Sequence, residues 1–420
     1  MNFFDIDKRI LEASEQAMKL CADKLREVEE IQEYNQIKMI KAFQNAGVRE
    51  SYFCASTGYG YDDCGRDALD RVYAYVFDAE DALVRHNFVS GTHALTVALF
   101  GILRPNDTML SVTGMPYDTI RSAIGIEGSY PGSLKDFDIR FEMTELCEDG
   151  TVDYEQVEKD IAEKQPKMVY IQRSRGYSLR ATLTWREIKK ICDIAKRVSP
   201  KSVIMLDNCY GEFIDKVEPL TIGVDIMAGS LIKNPGGGIA PTGGYIAGRA
   251  DLVEICAYRL TTPGTGKEIG ATLGVNREMF MGAYHAPHVT GEALKTAVFA
   301  SALFELLGFD TNPRYSDSRG DIIQLIMLGD EEKLISFCGG IQSGSAVDSF
   351  VQPLPSDMPG YESQVIMAAG AFTLGSSIEL SADAPLREPY AVWMQGSLNF
   401  HAGKLGVMLA ADSVLKDLHK

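Results

Sequence analysis

Between residues 50 and 290, short apolar runs alternate with stretches whose apolar residues recur at helical spacing. The apolar runs predict strands, because runs of this length bounded by turn residues are typical of buried strands. They cover residues 86–91, 108–114, 168–174, 202–208, 226–234 and 243–248. The helical stretches cover residues 92–103, 154–164, 184–199 and 250–260. This alternation predicts an α/β fold whose mostly parallel central sheet is covered by helices on both faces.

The flanking regions have different patterns, which together predict a chain of three parts. Residues 1–50 show amphipathic helical spacing and predict an N-terminal helical arm, used for packing or at a dimer surface. Residues 51–290 form the predicted large α/β domain. Residues 291–420 begin with the helical stretch EALKTAVFASALFELLGF and continue with strand-like pieces and a last helix near 400–418. They predict a smaller α+β domain.

Composition and charge exclude several classes of function. The 420-residue chain has a net charge of −17, so we expect no basic surface for a nucleic acid. No apolar run approaches the roughly 20 residues of a membrane helix, and charges from residue 5 onward exclude a signal peptide. We therefore expect a cytoplasmic protein. The cysteines lack C-x-x-C spacing, and Pro287 between His285 and His288 argues against a rigid helical ligand pair, so no metal site is predicted.

Lys233 lies in an unusual setting, the stretch GSLIKNPGGG of residues 229–238. It follows the apolar run IMAGSLI, so it lies at or just beyond the end of a buried strand. Desolvation at that point is expected to lower the pKa of the amine and to favour Schiff-base formation with an aldehyde. Ser230 offers a hydroxyl that reaches a phosphate. The alternative interpretation is a surface lysine in a loop.

Asp207 follows four apolar residues in VIMLDNCYGEF, which places a carboxylate at the end of a central strand. Burial of an ionised carboxylate is costly without a partner, and a protonated pyridine nitrogen is a suitable one. Asp207 and Lys233 are 26 residues apart, the length of a loop or helix and the next strand. The two side chains are therefore predicted to lie on adjacent strands and to face one cavity. The alternative is an aspartate that caps a helix.

The stretch SGTHALTVALFG, residues 90–101, predicts a helix that begins directly after a strand. The N–H groups at a helix N-terminus bind phosphate well, Gly91 allows close approach of the backbone, and Thr92 adds a hydroxyl. His93 is predicted to stack on a ring or to cap the helix. An ordinary capped helix is the alternative.

Tyr117 lies in GMPYDT, a turn that follows another predicted strand. Its ring is a candidate for covering a flat cofactor, because aromatic side chains stack on planar groups. A tyrosine that serves only the turn is the alternative.

Together these stretches resemble the pyridoxal-phosphate enzymes of the aspartate-aminotransferase fold. The resemblance is closest to the cystathionine and methionine gamma-lyase branch, and within it to a bacterial group of methionine gamma-lyase-related or aluminium-resistance proteins. It covers nearly the whole chain. The motifs that carry it are SGTHALT, MLDNCYGEF, SLIKNPGGGIAPTGGYIAG and YESQVIMAAGAFTLGSSIELSADAPLREPYAVWMQG.

The resemblance implies a cofactor, pyridoxal 5'-phosphate, and a role for each matching residue. Lys233 would form the Schiff base, and Asp207 would pair with the pyridine nitrogen. The phosphate would be held by Gly91, Thr92 and Ser230. Tyr117 or His93 would cover the ring.

The resemblance also implies a homo-oligomer, a dimer or tetramer, in which a neighbouring subunit completes each site. Tyr59, Tyr61 and Arg66 are the candidates for the residues supplied by that subunit. Arg387 and Arg175 are the candidates for binding the substrate carboxylate, since a guanidinium clamps a carboxylate with two hydrogen bonds. The alternative for each arginine is a structural ion pair.

The reaction implied is carbon–sulfur bond cleavage in a small sulfur-containing amino acid, with Lys233 or Tyr117 as the general base. Two alternatives remain open at this point. One is another reaction on the same scaffold, namely a threonine-type aldolase or an aminotransferase. The other is a protein that binds the cofactor but acts as a stress or metal-tolerance factor without lyase turnover.

Overall fold

The computed structural model describes residues 3–128, 130–357 and 363–417. The strands in these residues are β1 (Asp81–Arg85), β2 (Thr108–Ser111), β3 (Arg140–Met143), β4 (Met168–Gln172), β5 (Val203–Asp207), β6 (Ile226–Ser230), β7 (Gly244–Gly248), β8 (Asp310–Asn312), β9 (Gln324–Met327), β10 (Val365–Ala369), β11 (Ser381–Pro385) and β12 (Ala391–Gln395). The α-helices are α1 (Lys8–Leu20), α2 (Ala22–Asn45), α3 (Cys64–Val76), α4 (Gly91–Ile102), α5 (Asp118–Ile124), α6 (Tyr154–Lys164), α7 (Trp185–Val198), α8 (Ala250–Leu260), α9 (Asn276–Leu306), α10 (Glu331–Ser343) and α11 (Phe400–Asp417).

The first sheet has seven strands in the order β1-β7-β6-β5-β4-β2-β3. Its pairs are parallel except for those of β7, which runs antiparallel to both β1 and β6. All five residues of β4, β5, β6 and β7 are buried, as their continuous apolar runs require of strands covered on both faces. The predicted α/β fold with a mostly parallel sheet is confirmed.

A second sheet of five antiparallel strands, in the order β10-β11-β12-β9-β8, forms the C-terminal part. Helices α9 and α10 pack against it and α11 packs against these two helices, around an apolar core that includes Phe304, Phe337 and Val407. The N-terminal arm belongs to the same core, because Ile10 and Ala17 of α1 are fully buried there. The arm therefore packs against its own chain.

One strand lies elsewhere than the pattern predicts. Residues 86–91, predicted as a strand, form a turn and the beginning of α4, whereas β1 precedes them at Asp81–Arg85. The buried side chains of β1 are Ala82, Leu83 and Val84, followed by Arg85 in an ion pair with Asp70 at 2.7 Å. The ion pair neutralises the arginine, so a charged residue can lie in this buried strand. In the sequence, the charged residues at the two ends of β1 hide its short apolar run.

Helix α9 continues through two features that the sequence interpretation treated as breaks. It includes Pro287, and it also includes residue 290, the predicted boundary of the large domain. His285 and His288 therefore lie on one helix, so the prediction of a non-helical pair is wrong. The helix is held along its length by α2, α11 and the turn at Asn234–Gly236. None of the helices within residues 3–128, 130–357 and 363–417 has the length and apolar character needed to cross a bilayer.

Candidate active site

A cavity of about 340 Å³ lies at the carboxyl ends of β4, β5 and β6, and the C-terminal sheet closes its other side. This volume is typical of small-molecule sites. We call one side the inner wall, formed by Gly91, Thr92, Asp207, Ser230 and Lys233. We call the opposite side the outer wall, formed by Tyr177, Asp383, Trp393 and Gln395.

Lys233 reaches the cavity from the segment that follows β6. Its Nζ lies 3.9 Å from the centre of the Tyr210 ring. Within the part of the chain that the structure describes, this ammonium forms no hydrogen bond or ion pair. The amine is therefore directed at the cavity and available to a ligand.

The expected lowering of the Lys233 pKa is wrong for the protein without a ligand. Burial disfavours the ammonium, as predicted, but the pKa of Lys233 is nevertheless raised, because acidic and ionisable groups around it outweigh that effect. These groups are Cys209, Tyr210, Asp207 and Glu212. The sequence interpretation considered desolvation without the neighbouring charges.

Asp207 is the last residue of β5, which pairs with β6 in parallel so that Asp207 lies opposite Ala228. Its side chain is 5 % exposed and accepts a hydrogen bond from the backbone N–H of Cys209 at 3.1 Å. Burial raises the pKa of Asp207, while the charge of Lys233 opposes that rise. Asp207 ends β5, and Lys233 lies three residues beyond the end of the adjacent strand β6, so the prediction that the two side chains face one cavity is confirmed.

Helix α4 directs its N-terminus at the same cavity. The Oγ atom of Ser90 caps the helix by accepting a hydrogen bond from the His93 N–H at 3.1 Å. A Cβ atom on Gly91 would lie only 3.0 Å from the Cβ of Ser230, so a side chain there would crowd the space between helix and strand. The bare backbone of Gly91 and the hydroxyls of Thr92 and Ser230 form a cradle suited to an anion.

Tyr117 and His93, the two candidates for covering a ring, lie in different places. Tyr117 lines the cavity, and its backbone N–H donates to the Gln172 Oε1 at 2.6 Å. His93 lies outside the lining, because its Nδ1 accepts from the Val89 N–H at 3.2 Å and its ring packs edge-on against Phe88. His93 therefore does not line the cavity, and a contact between its ring and the cofactor stays a prediction.

The candidate arginines also lie outside the lining of the cavity. Arg175 is buried beside it and donates from Nη2 to the Asn312 Oδ1 at 2.8 Å. Arg66 is held inside its own chain by the carbonyl oxygens of Gly60 and Gly270, at 2.7 and 3.2 Å. Arg387 is exposed. Arg66 is thus occupied by structural contacts, whereas the Nε and Nη1 atoms of Arg175 are buried without a hydrogen-bond partner within the described residues. The assignment of these arginines to the substrate stays a prediction.

Tyr59 and Tyr61 are directed away from the cavity of their own chain. Their side chains are 70 % and 64 % exposed, and their rings stack with centroids 5.5 Å apart. A pair of exposed stacked tyrosines is a surface suited to another subunit, since interfaces are enriched in tyrosine.

Tyr210 and the residues of the outer wall were not predicted from the sequence to belong to the site. The Tyr210 hydroxyl accepts from the Gln395 Nε2 at 2.7 Å and donates to the Ser376 carbonyl at 3.1 Å. On the outer wall the Asp383 carboxylate accepts from the Tyr177 hydroxyl at 2.7 Å. Tyr210 stands in a quoted motif, but its positive φ of 67° has no local signal in the sequence.

The inner wall fits pyridoxal phosphate. It provides an amine that makes no hydrogen bond or ion pair within the described residues, a buried carboxylate in the same cavity, and an anion cradle at a helix N-terminus. These three groups match an aldehyde, a ring nitrogen that carries a positive charge, and a phosphate. Within the described residues, no three His, Cys, Asp or Glu side chains are grouped to hold a metal ion.

Comparison with solved structures supports this interpretation. A crystal structure of a carbon-sulfur lyase involved in aluminum resistance from Clostridium novyi NT is 51 % identical, with a TM-score of 0.93 over 97 % of this chain and 96 % of that one. A candidate cystathionine beta-lyase involved in aluminum resistance from Clostridium acetobutylicum is 49 % identical, with a TM-score of 0.93 over 98 % and 97 % of the two chains.

More distant similarity identifies the fold. The pyridoxal-5'-phosphate dependent protein YhfS from Escherichia coli is 16 % identical and has a TM-score of 0.62 over 93 % of this chain and 97 % of that one. The fold is that of the aspartate-aminotransferase-like enzymes, as predicted. The family model described as "Methionine gamma-lyase" matches residues 10–415. The chain therefore belongs to the methionine gamma-lyase family of pyridoxal-phosphate-dependent carbon–sulfur lyases.

Proposed function

We propose that this protein cleaves the carbon–sulfur bond of a small sulfur-containing amino acid, in the manner of methionine gamma-lyase. The observation that carries the proposal is the pair formed by Lys233 and Asp207, an amine and a carboxylate that face one cavity from the ends of two adjacent strands. The names of the two clostridial relatives, a carbon-sulfur lyase and a candidate cystathionine beta-lyase, support cleavage of a carbon–sulfur bond.

The inner-wall residues would hold the cofactor at three points. Pyridoxal phosphate, when bound, supplies an aldehyde that reacts with amines and a ring that withdraws electrons from the substrate Cα. Lys233 would hold it covalently through Nζ, while Gly91, Thr92 and Ser230 would bind its phosphate at the N-terminus of α4. Asp207 would keep a proton on the ring nitrogen, since a buried carboxylate favours a cationic partner.

Lys233 is also our candidate for the general base. Its Nζ lies in the cavity and would take the proton from the substrate Cα. Tyr117 lines the same cavity, and we propose that its ring covers the cofactor, with its hydroxyl as the second candidate for the base. Tyr210 contacts the lysine through its ring and would restrict the directions in which the amine can move.

We further propose that the active protein is a homo-oligomer, a dimer or tetramer, with sites shared between subunits. The exposed pair Tyr59 and Tyr61 would enter the site of the neighbouring subunit. Co-expression of a Tyr59→Phe, Tyr61→Phe chain with a Lys233→Ala chain tests this arrangement. If sites are shared, mixed oligomers contain some complete sites, and activity rises above that of either variant alone. Activity that stays at the sum of the two variants contradicts shared sites.

The substrate assay separates this function from its alternatives. The purified protein, supplied with pyridoxal phosphate, is incubated with methionine, cystathionine and cysteine, and keto acid and thiol are measured. We expect both products from at least one of these substrates. Release of glycine and aldehyde from threonine would identify an aldolase instead, and transfer of the amino group to an added keto acid would identify an aminotransferase. No keto acid from any sulfur substrate contradicts the proposal.

A further inference from the structure

The outer wall contains a carboxylate that the chemistry at Lys233 does not use. Asp383 lies on β11, is 6 % exposed and lines the cavity. Its carboxylate accepts a hydrogen bond from the Tyr177 hydroxyl at 2.7 Å. Within the described residues, no lysine, arginine or histidine pairs with it. A carboxylate in such a wall is costly to bury without a cation.

The position of Asp383 in its strand directs it at the ligand. Its neighbours Ala382 and Ala384 belong to the apolar core on the other side of the sheet, as the alternation of a strand requires. Across the strands it pairs with Trp393, which also lines the cavity. An apolar residue at position 383 would complete this wall at lower cost, so the carboxylate is expected to serve a ligand.

Tyr210 connects this position to the reacting end of the cavity. Its ring contacts the Lys233 ammonium, and its hydroxyl bonds to Gln395, which is two residues from Trp393 on β12. The carboxylate of Asp383 is close enough to help burial raise the pKa of Tyr210. One tyrosine therefore contacts Lys233 of the inner wall and Gln395 of the outer wall.

We propose that Asp383 binds an ammonium group on the sulfur substituent of the substrate, so that the protein prefers thioether amino acids whose departing thiol carries an amine. This inference rests on the proposed lyase function. The rings of Tyr177 and Trp393, 5.9 Å apart and nearly perpendicular, contribute aromatic surface beside the carboxylate, which further favours a cation. Methionine, whose sulfur carries a methyl group, lacks the recognised charge.

A matched pair of substrates tests this preference. S-(2-aminoethyl)-cysteine and S-propyl-cysteine have side chains of equal length and differ in a terminal ammonium or methyl group. We expect kcat/KM of the wild-type protein to favour the ammonium substrate by about tenfold or more, the usual contribution of a hydrogen bond to a charged group. Asp383→Asn should reduce this ratio to about one, and Asp383→Glu should restore part of it.

Tyr177→Phe is the matched control, because it removes the hydrogen bond to Asp383 but keeps the carboxylate. We expect it to retain the preference for the ammonium substrate. If Asp383→Asn slows both substrates equally and leaves their ratio unchanged, the carboxylate serves only the structure of the wall, and the inference is wrong. A wild-type ratio near one contradicts it as well.

A binding measurement separates this inference from the proposed reaction. Lysine and 2-aminoheptanoate reproduce the two side chains with carbon in place of sulfur, so neither can lose a thiol. Calorimetry on the cofactor-loaded protein should give a Kd for lysine that is about tenfold lower, with the difference lost in Asp383→Asn. If lysine is preferred but no thioether is cleaved, Asp383 has the inferred role and the lyase function fails. If thioethers are cleaved without either preference, only the role of Asp383 fails.

Discussion

The inner and outer walls of the cavity differ in how their charges are balanced. On the inner wall the Lys233 ammonium and the Asp207 carboxylate face the same space, and each favours the charged form of the other. On the outer wall the carboxylate of Asp383 has a tyrosine hydroxyl but no cation within the described residues. The inner wall is thus arranged for a ligand that carries charges of both signs. The outer wall has a negative charge without a positive partner, and a substrate can supply that partner.

Removal of the inner-wall amine should have the largest effect. Lys233→Ala should reduce turnover by about 10³-fold or more, because it removes both the covalent anchor and the candidate base. Borohydride treatment should then no longer attach the cofactor to the protein, as measured by mass spectrometry. Lys201→Ala, which changes an exposed lysine, is the control and should keep both properties. A Lys233→Ala protein with more than a tenth of wild-type turnover contradicts the assignment.

Neutralisation of the inner-wall carboxylate should have the next largest effect. Asp207→Asn should lower kcat by about 100-fold, since removal of one member of a buried charge pair costs roughly 3 kcal/mol or more. Glu218→Gln provides a matched control, because Glu218 is also a buried carboxylate but lies outside the cavity lining. We expect the control to keep kcat within about threefold. Equal losses in both variants would mean that Asp207 acts only through stability.

On the outer wall, by contrast, neutralisation of the carboxylate should increase the stability of the protein. Burial raises the pKa of Asp383 from 3.8 to about 6, so at pH 8 the folded protein must keep an ionised carboxylate where the neutral acid is preferred. In the protein without ligands, Asp383→Asn should therefore raise the free energy of unfolding at pH 8 by about 1–3 kcal/mol. The gain should shrink as the pH falls below 6 and vanish below 4, where Asp383 is protonated in both states.

Asp160→Asn is the control for this experiment, because Asp160 is buried with hydrogen bonds from Thr144 and Gln156. Burial alone would raise the pKa of Asp160, but these bonds and the Lys164 ammonium, 3.4 Å from the carboxylate, outweigh it and lower the pKa. Its ionised form therefore contributes stability above pH 4, and the variant should be less stable at pH 8. Urea unfolding of both variants at several pH values measures the two effects. A loss of stability in Asp383→Asn at pH 8 would contradict an uncompensated carboxylate.

The inner wall could be predicted from the sequence because each of its residues has a local signal. Asp207 and Lys233 follow apolar runs, and parallel strands bring their carboxyl ends to one edge of the sheet. Gly91 and Thr92 begin a helix as their motif predicts, although the residues directly before them form a turn and not a strand. His93 lies outside the cavity lining because each residue turns a helix by about 100°, which moves its ring from the cavity towards Val89.

The outer wall could not be predicted in the same way, because its signal is tertiary. Asp383 lies in the strand SADAP, which has no long apolar run. Its orientation follows from pairing with Trp393, and the cavity exists only because the C-terminal sheet packs beside the large one. Arg387 lies four residues beyond Asp383, and the sequence offered it, rather than the acid, as the charged group for the substrate.

Substitution of Arg387 should have the smallest effect, and it tests whether the outer wall extends as far as this residue. Its side chain is exposed and absent from the cavity lining, although its charge is close enough to oppose the rise that burial causes in the pKa of Asp118. Interactions between exposed charges contribute little, so Arg387→Ala should change KM by less than about threefold and leave kcat unchanged. The steady-state kinetics of the best sulfur substrate measure both values. A tenfold rise in KM would instead bring Arg387 into the site, as the carboxylate clamp that the sequence predicted, and would require the segment after β11 to close over the bound substrate.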